Sequence, residues 1–365
     1  MPMMTRQSKR VLPFDLPNRY EFVGPVIKGG QGEVYVCSDK FLERKVAIKV
    51  MTELNDSEEI RKELAAIQSV QSRHVARIFD VVNSEDAQTM GLVEEYVPGP
   101  DVAAYAAAND IKDECLAILY QIACGLCDIH VSGKIHRDIK PRNIKFDGEH
   151  IVKILDFGLA SDALPDIETV DARGTPCYLA PELYGDPPIS YTAAVDTFAF
   201  GVTARVIAQG GALPPAFRQT PPYATAFPSF GSCPIPLPPD ITAILDRTLS
   251  VDPGHRPAMV EVRDVLARRL LWGKHRAVIT YGANHELSVP GKSVALKVGS
   301  DGLTIAYDGL YFTVNSVSGA VYVNNLPVIT GTSLPDSCVI TLGPPQLGWD
   351  RAHVPFNVSH PEVVL

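Results

Sequence analysis

The strongest constraint on the fold of this 365-residue chain is an ordered series of short motifs that runs from Gly29 to Arg256. Their order and spacing are too regular to arise by chance in an unrelated α/β protein. The series predicts one domain over residues 19–271, between an N-terminal tail (1–18) and a separate C-terminal domain (272–365). In chain order the motifs are VIKGGQGEVY (26–35), VAIK (46–49), HRDIKPRN (136–143), DFG (156–158), GTPCYLAPE (174–182) and DPGHRP (252–257).

Hydrophobic periodicity divides the motif-bearing region into a β-rich part followed by an α-rich part. From Tyr20 to Tyr96 most apolar runs are short and strand-like. One helix is predicted among them, beginning near Asp56 and placing Glu63 at the edge of its apolar face. A helical period then dominates, and the predicted helices cover residues 111–129, 193–207, 241–249 and 259–271. The pattern therefore predicts an α+β fold with two lobes.

The glycine-rich motif lies between two strand-like runs and suits a hairpin whose backbone amides approach phosphate oxygens closely. By itself the signal is weak, since a plain flexible hairpin has the same composition. The strand that follows carries Lys49, and Glu63 is the natural partner to hold the Lys49 ammonium towards the phosphates of a nucleotide. Together these features indicate a nucleotide-binding lobe.

The HRDIKPRN segment resembles the catalytic loop of eukaryotic-like (Hanks-type) protein serine/threonine kinases, and we expect a bacterial member of that family. The resemblance implies that Asp138 accepts or orients the proton of the substrate hydroxyl and that Lys140 steadies the transferred phosphoryl group. It also implies that Asn143 and Asp156 bind magnesium. Because the γ-phosphoryl group is transferred with little covalent help, cations and a positioned hydroxyl supply most of the lowering of the barrier.

The resemblance implies a bilobal protein kinase fold that uses ATP and Mg²⁺. The residues expected to act in catalysis are Asp138, Lys140, Lys49 and Glu63. The metal ligands are expected to be Asn143 and Asp156. The positions expected to contact the nucleotide are Ile27, Gly29, Gly30, Gly32, Val34, Ala47, Lys49, Glu95, Val97, Asn143 and Asp156.

The later motifs are expected to support the catalytic loop. Thr175 is expected to contact Asp138 and Lys140. Glu182 is expected to pair with Arg256, and Asp196 to be the buried aspartate that holds the catalytic loop.

Lys140 and the Gly-Thr-Pro segment (174–176) favour serine or threonine side chains of protein substrates as acceptors, with autophosphorylation included. Small-molecule kinases of related fold lack the Ala-Pro-Glu segment (180–182) and are less favoured. The alternative is a pseudokinase-type scaffold that recruits partners through its C-terminal domain. Such a scaffold needs none of the catalytic residues, so their retention favours the enzyme.

The sequence departs from the family pattern at three places. Ile27 stands where the first glycine of the loop is usual, which would stiffen the lid over the nucleotide. If residues 95–97 form the hinge, Glu94 occupies the gatekeeper position beside the adenine pocket. A carboxylate there requires a cationic partner, a water path or a raised pKa. The proline-rich segment Pro214–Pro239 replaces a helix that normally docks substrates and is predicted to be extended.

Arg137 precedes the catalytic aspartate and, in the resembling family, pairs with a phosphorylated residue of the activation loop. Thr169 is the predicted phosphosite, whereas Ser161 lies close to the DFG motif. The alternative is a constitutively active enzyme in which an acidic neighbour such as Asp171 meets Arg137.

The C-terminal region alternates apolar and polar residues between turn signals, which predicts a small all-β sandwich. The predicted strands are 277–281, 293–298, 303–307, 311–314, 320–323 and 339–342. Residues 321–343 resemble the end of a forkhead-associated domain, a sandwich that binds phosphothreonine. The arginine and the Ser-x-x-His pattern that grip the phosphate are missing, so we expect a degenerate domain that recruits a partner protein. A working phosphothreonine reader is the alternative.

Composition excludes several other functions. The net charge of −9 and the isoelectric point near 5.5 argue against nucleic acid as a partner. No apolar signal segment or uninterrupted membrane span is visible, so we expect a cytoplasmic protein. Seven scattered cysteines indicate reduced thiols, and Cys124 and Cys127 are interpreted as helix-packing residues.

Overall fold

The computed structural model describes residues 16–29, 32–51, 70–83, 89–156, 161–162, 175–185, 191–218, 227–359 and 361. The chain divides into two compact units, Met1–Arg263 and Asp264–Leu365. The domain limits expected from the sequence, at residues 18 and 271, stay predictions. Within the described ranges no helix combines the length and apolar character that crossing a membrane requires.

The first unit begins with five strands, as predicted for the β-rich region. They are β1 (Tyr20–Gly29), β2 (Gly32–Asp39), β3 (Arg44–Met51), β4 (Ile78–Asn83) and β5 (Met90–Glu95). They form one antiparallel sheet in the order β1-β2-β3-β5-β4. In the hairpin formed by β1 and β2, Gly29 pairs with Gly32, which confirms the hairpin predicted for the glycine-rich motif.

The two faces of this sheet differ because side chains alternate along each strand. One face packs into an apolar cluster that includes Ile48. On the other face, Ile27 lies opposite Val34, and Val34 lies opposite Lys49 in the next strand. Ala47 shares that face because it lies two residues before Lys49. The register therefore brings four of the predicted nucleotide-contacting side chains to one side of the sheet.

Helices dominate residues 102–271, which follow this sheet. They are α1 (Val102–Ala108), α2 (Cys115–Val131), α3 (Ala193–Ala208), α4 (Pro239–Thr248) and α5 (Met259–Leu271). The last four confirm the predicted helices to within a few residues at each end. The short helix α1 begins at Asp101, whose carboxylate accepts hydrogen bonds from the amides of Ala103 and Ala104.

The proline-rich segment contains no α-helix or β-strand among its described residues 214–218 and 227–238. Single 3₁₀ turns occur at Pro215–Phe217 and Phe230–Ser232. Residues 219–226 lie outside the described ranges. Pro239, the last residue of the segment, is the first residue of α4, where a proline is well tolerated.

Four short strands frame the HRDIKPRN segment: β6 (Lys134–Ile135), β7 (Ile144–Phe146), β8 (Val152–Ile154) and β9 (Ser161–Asp162). Ile144 of β7 lies opposite Ile154 of β8. Asn143, which precedes β7, and Leu155, which follows β8, are also joined. The amide of Leu155 donates to the carbonyl oxygen of Asn143 at 2.7 Å. This pairing positions Asp156 beside the end of the HRDIKPRN segment.

The second unit consists mainly of β-strands. They are β10 (Ala277–Tyr281), β11 (Ala283–Leu287), β12 (Ser293–Val298), β13 (Asp301–Tyr307), β14 (Phe312–Ser318), β15 (Val321–Val323), β16 (Leu326–Pro327), β17 (Ser337–Leu342) and β18 (Ala352–Val358). Six strands form one sheet in the order β11-β10-β18-β17-β15-β16, and β12-β13-β14 form another. One apolar core contains residues of both sheets, such as Ile305, Ile340 and Phe356.

Every strand predicted in this region is present, but three further strands were not predicted. In β11 only Leu287 is buried, so the strand has no apolar alternation to detect. The short strand β16 contains Pro327. In β18 the apolar residues Val354, Phe356 and Val358 do alternate, so the signal was present in the sequence.

Candidate active site

Lys49 and Asp156 lie together at the side of the five-stranded sheet that carries Ile27, Val34 and Ala47. The Lys49 side chain is almost fully buried, and its ammonium forms an ion pair with the Asp156 carboxylate. A buried ammonium has lost the hydration that stabilises its charge in water, and the neighbouring carboxylate stabilises the charge instead. The pair can place a positive and a negative group beside the phosphates of a nucleotide.

Three side chains converge where the substrate hydroxyl is expected. Lys140 Nζ donates to Asp138 Oδ2 at 2.6 Å and to Thr175 Oγ1 at 2.7 Å. The Thr175 hydroxyl in turn donates to Asp138 Oδ1 at 3.0 Å. These contacts confirm the expected association of Thr175 with Asp138 and Lys140. The Asp138 carboxylate is thereby held in one orientation, as a group that accepts a proton requires.

Asn143 connects this triangle to the position expected for a metal. Its amide nitrogen donates to Asp138 O at 2.9 Å and to Asp138 Oδ2 at 3.0 Å, so the amide oxygen remains as a ligand. Asp156 follows Leu155, whose amide donates to the Asn143 carbonyl oxygen, so Asp156 and Asn143 are neighbours in the fold. Carboxylate and amide oxygens are hard ligands of the kind Mg²⁺ prefers, so these residues fit a magnesium ion.

Two residues of the site have a left-handed backbone. Arg137 and Asp156 both have φ of 68°, in a region that residues with a side chain adopt at a cost. At Arg137 this turn is stabilised by the hydrogen bond that its own amide donates to Asp196. Strained backbone of this kind occurs most often where a side chain must be aimed.

The catalytic loop is held by the buried carboxylate of Asp196. Its Oδ2 accepts a hydrogen bond from the His136 amide and its Oδ1 accepts one from the Arg137 amide, each at 2.8 Å. Oδ2 also lies 2.9 Å from His130 Nε2. Burial by itself raises the pKa of Asp196, but the hydrogen bonds and charges of His130 and His136 outweigh it and hold the pKa below its ordinary value. The predicted role of Asp196 in holding the loop is therefore confirmed.

A second buried ion pair holds the end of the GTPCYLAPE segment. Arg256 Nη1 donates to Glu182 Oε1 and Arg256 Nη2 donates to Glu182 Oε2, each at 2.7 Å. The Arg256 side chain has no exposed surface. Arg256 also donates to the carbonyl oxygens of Ser250 and Ala194. The predicted pairing of Arg256 with Glu182 is confirmed, and its forked geometry is the strong form of such a bond.

Glu94 lies on the same side of the sheet as Lys49, because it is opposite Ala47 in the neighbouring strand. Burial raises the pKa of Glu94 to about 7; the positive charge of Lys49 lowers it in part, and the carboxylate of Asp156 raises it. The raised pKa is one of the three expected accommodations, and the positive charge of Lys49 offsets it only in part. The adjacent Glu95 faces the other way and pairs with the buried Lys153, at 3.1 Å.

Some predicted residues cannot be placed. Gly30, Glu63 and Thr169 lie outside the described residues, and only the strand backbone of Gly29 and Gly32 is described. Val97 is buried immediately after β5, in the segment predicted to be the hinge.

Sequence reasoning missed three side chains that support the site. His130, on α2, is the side-chain partner of Asp196, and Lys153 is the partner of Glu95. The guanidinium carbon of Arg137 lies 4.4 Å from the centre of the Tyr191 ring. Of the three, only His130 could have been suspected from the sequence. A polar residue near the end of an apolar helix is a candidate for a buried contact.

The comparisons with known proteins agree with this geometry. The family model described as a protein kinase domain matches residues 20–265, which is more than half of the chain and includes every motif of the ordered series. Maternal embryonic leucine zipper kinase of Danio rerio is 32% identical over 46% of this chain and 26% of its own length. CBL-interacting protein kinase 25 of Oryza sativa subsp. japonica is 30% identical over 68% of this chain and 50% of its own length.

A bacterial protein is similar to the same degree. Serine/threonine-protein kinase pkn2 of Myxococcus xanthus is 31% identical over 69% of this chain and 32% of its own length. The chain thus spans half or less of the length of these three curated relatives.

Proposed function

Because the chain belongs to the protein kinase family, we propose that its first unit transfers the γ-phosphate of ATP to serine and threonine hydroxyls of protein substrates, its own included. The observation that carries this proposal is the triangle formed by Asp138, Lys140 and Thr175. In this triangle a carboxylate and an ammonium both lie within hydrogen-bond distance of the Thr175 hydroxyl. The hydroxyl of a substrate needs the same two groups beside it for transfer.

Each residue has a separate role in this proposal. Asp138 orients the acceptor hydroxyl and takes its proton, while Lys140 stabilises negative charge on the phosphoryl group as it passes. Lys49 holds the phosphates of the nucleotide that lies against Ile27, Val34 and Ala47. Asn143 and Asp156 would hold Mg²⁺, which neutralises charge on the nucleotide phosphates when it is bound.

The choice of serine and threonine as acceptors is supported by two observations. Lys140 occupies the space beside Asp138 and contacts both Asp138 and Thr175. The similar protein of Myxococcus xanthus is named a serine/threonine-protein kinase. The bacterial type and the cytoplasmic location expected from the sequence stay predictions.

The proposal is tested by transfer of labelled γ-phosphate from ATP with magnesium to a mixture of serine- and threonine-containing proteins. We expect Asp138→Asn and Asp156→Asn to lose transfer by at least roughly 100-fold each, as for a removed proton acceptor or charge-stabilising group. Asp113→Asn is the matched control, because Asp113 is an exposed aspartate outside the site. Equal labelling by all four proteins would refute the proposal and leave the scaffold alternative.

For the second unit we propose a forkhead-associated-like domain that recruits a partner protein and does not read phosphothreonine. The turn between β12 and β13 supports this, because Val298 pairs with Asp301 and only Gly299 and Ser300 remain between the strands. So short a connection leaves little backbone to surround a phosphate. Exposed apolar side chains also support a partner surface, including Leu326, Ile329 and Trp349.

Isothermal titration of the full chain against phosphothreonine peptides tests this second proposal. Binding is expected to be absent or unchanged by dephosphorylation of the peptide. Micromolar binding that disappears when the phosphate is removed would establish a phosphothreonine reader instead.

A further inference from the structure

A cavity of about 350 Å³ opens beside the five-stranded sheet and has no role in the reaction proposed above. Arg44 and Lys45, the first residues of β3, line it. Arg77 and Phe79 line it beside the first residue of β4. Its volume is within the range of roughly 300–1,000 Å³ that is typical of ligand pockets. The cavity is therefore large enough for a small ligand or for one side chain of a partner.

The register of the sheet brings these side chains together. Glu95, the last residue of β5, lies opposite Val46 of β3. On its other side the Glu95 amide donates to the carbonyl oxygen of Arg77 at 2.8 Å. Val46 and Arg77 are therefore two strand spacings, or about 10 Å, apart. Long side chains from both sides reach across that distance.

The cavity is separate from the nucleotide site. Its described wall contains neither Lys49 nor Asp156. Arg44 and Glu95 point to the face of the sheet opposite Lys49, because side chains alternate along each strand. A ligand in the cavity therefore does not compete for the groups that hold the nucleotide phosphates.

One carboxylate lines the described part of the cavity, and it is already paired. The two oxygens of Glu95 lie 3.1 and 3.3 Å from Lys153 Nζ, and Oε2 also accepts from the Arg77 amide at 3.2 Å. Lys153 is buried, so this ion pair is a fixed part of the wall. The carboxylate of Glu95 therefore balances Lys153 and leaves the other positive charges of the cavity uncompensated.

Those charges belong to Arg44, Lys45 and Arg77. Among the residues that the structure describes, none of the three side chains donates a hydrogen bond. The Lys45 ammonium lies 6.0 Å from the centre of the Tyr96 ring, which also lines the cavity. Three positive charges around one cavity repel one another, and a bound anion removes that repulsion.

Arg44 is held in place by its surroundings. Its guanidinium carbon lies 3.5 Å from the centre of the Phe79 ring, and its Nε lies 3.6 Å from Asp39 Oδ2. Asp39 already accepts two hydrogen bonds from Arg19, at 2.9 and 2.7 Å. Stacking on Phe79 fixes the plane of the Arg44 guanidinium, and its Nη atoms remain as donors to a ligand.

This set of donors suits a phosphate group better than a carboxylate. A guanidinium presents two parallel N–H donors to an oxyanion, and two arginines reach the cavity from different strands. A phosphate group carries about two negative charges near pH 7, and its oxygens point in several directions. A carboxylate carries one charge and is planar, so it would leave most of the positive charge unbalanced.

We propose that this cavity binds a phosphate group, either as free phosphate or on a phosphorylated side chain of a partner protein. Arg44 and Arg77 donate to its oxygens from opposite sides, and Lys45 adds a third positive charge. The site is additional to the proposed kinase reaction and does not depend on it.

Isothermal titration of the full chain with inorganic phosphate tests the proposal, with ADP and Mg²⁺ in excess so that the nucleotide site is occupied. We expect a Kd of about 10 μM to 1 mM, within the limit for an anion of five atoms. Arg77→Gln is expected to weaken binding about tenfold to 100-fold, the effect of removing a charged hydrogen bond. Lys45→Gln is expected to weaken it about tenfold.

Arg268→Gln is the matched control, because Arg268 is an exposed arginine on α5 that does not line the cavity. It is expected to bind phosphate within about twofold of the native chain, and thermal melting checks that each variant is folded. Titration with a phosphoserine peptide and with its unphosphorylated form then identifies the source. Binding of the phosphoserine peptide at least about tenfold tighter than free phosphate indicates a phosphorylated partner, and equal or weaker binding indicates free phosphate.

The proposal is overturned if the native chain binds neither phosphate nor the phosphoserine peptide below about 10 mM. It is also overturned if Arg77→Gln and Lys45→Gln bind as the native chain does. Equal weakening in Arg268→Gln would attribute the effect to the net charge of the chain and overturn the site as well. Because none of these measurements involves phosphate transfer, their failure leaves the proposed kinase activity standing.

Discussion

The two units of the chain bury different kinds of side chain. Among the described residues of the second unit, Thr341 is the only buried polar one, and apart from Cys338 the rest of the core is aliphatic and aromatic. The first unit buries many ionisable and amide side chains, several of them in its catalytic loop. They include Lys49, Gln121, His136, Arg137, Asp138, Asn143, Lys153, Asp196, Arg205 and Arg256.

This difference indicates what each fold has to do. A buried charge costs free energy unless it is paired and hydrogen bonded, and an apolar core of the same volume is often more stable. The first unit accepts that cost where charges must be aimed at phosphate groups or must hold the loop that does so. The second unit has no such requirement among its described residues, and its stability comes from apolar burial.

Lys49→Met is expected to reduce phosphate transfer at least roughly 1,000-fold, or about 4 kcal/mol in the barrier, because the ammonium contacts phosphates. The fold is expected to remain intact, with a cooperative melting transition by circular dichroism. Lys153→Met is the matched control, since Lys153 is equally buried and is also paired with a carboxylate. It is expected to change the melting temperature by a similar amount and to keep most of the activity.

A collapsed melting curve for Lys49→Met alone would mean that Lys49 has a structural role. Equal loss of transfer in both lysine variants would mean that the activity depends on buried ion pairs in general.

Asp196→Asn is expected to lower the free energy of unfolding by about 3 kcal/mol, because an amide cannot accept from two backbone amides and His130 at once. The pKa of Asp196 is lowered in the folded state, so its contribution is present above the ordinary pKa of an aspartate and is lost as the pH falls through the folded value. The loss in Asp196→Asn is therefore expected in full at about pH 7 and is expected to shrink as the pH falls below about 4. Urea denaturation measures it, with the exposed Asp113→Asn as control. A change of less than about 0.5 kcal/mol would place Asp196 among ordinary surface residues.

Glu94→Gln is expected to stabilise the protein increasingly as the pH rises. The pKa of Glu94 is about 7 in the folded chain, against an ordinary value of 4.5. The contribution of the neutral Glu94 to the free energy of unfolding is therefore fully present below about pH 4.5 and is lost as the pH rises through 7. Glutamine does not ionise and avoids this loss, which is at most about 3 to 4 kcal/mol.

Urea denaturation of Glu94→Gln and the native chain at about pH 5 and pH 8 measures the difference. Glu149→Gln, at an exposed position, is the control. Parallel stability curves for the native chain and Glu94→Gln would contradict the raised pKa.

Much of the site could be predicted because its residues are close in sequence. Asp138, Lys140 and Asn143 lie within one short loop, so their motif specifies both their identity and their approximate geometry. The contacts of Glu182 with Arg256 were predicted from a second motif pair. The contact of Asp196 with the loop was also predicted, since the family pattern fixes its place.

The contacts that could not be predicted join residues far apart in sequence with no motif to mark them. His130 reaches Asp196 from another helix, and Lys153 reaches Glu95 from another strand. Periodicity shows which face of an element is buried but not which neighbour it meets.

The smallest expected effect tests the contrast between the units most directly, with the same substitution in each. The Thr248 hydroxyl, fully buried in the first unit, donates to Leu245 O at 2.6 Å. In the second unit the Thr341 hydroxyl lies 3.2 Å from Nδ1 of the exposed His353.

Thr→Val keeps the shape of the side chain and removes the hydroxyl. At Thr248 the loss is expected to be about 1 to 2 kcal/mol, because a buried carbonyl oxygen loses a donor. At Thr341 it is expected to be less than about 0.5 kcal/mol, because water can replace the hydroxyl at His353. Urea denaturation of the full chain with a fluorescence probe in each unit measures both. Equal losses would mean that the second unit depends on its buried polar group as the first does, and the contrast drawn here would fail.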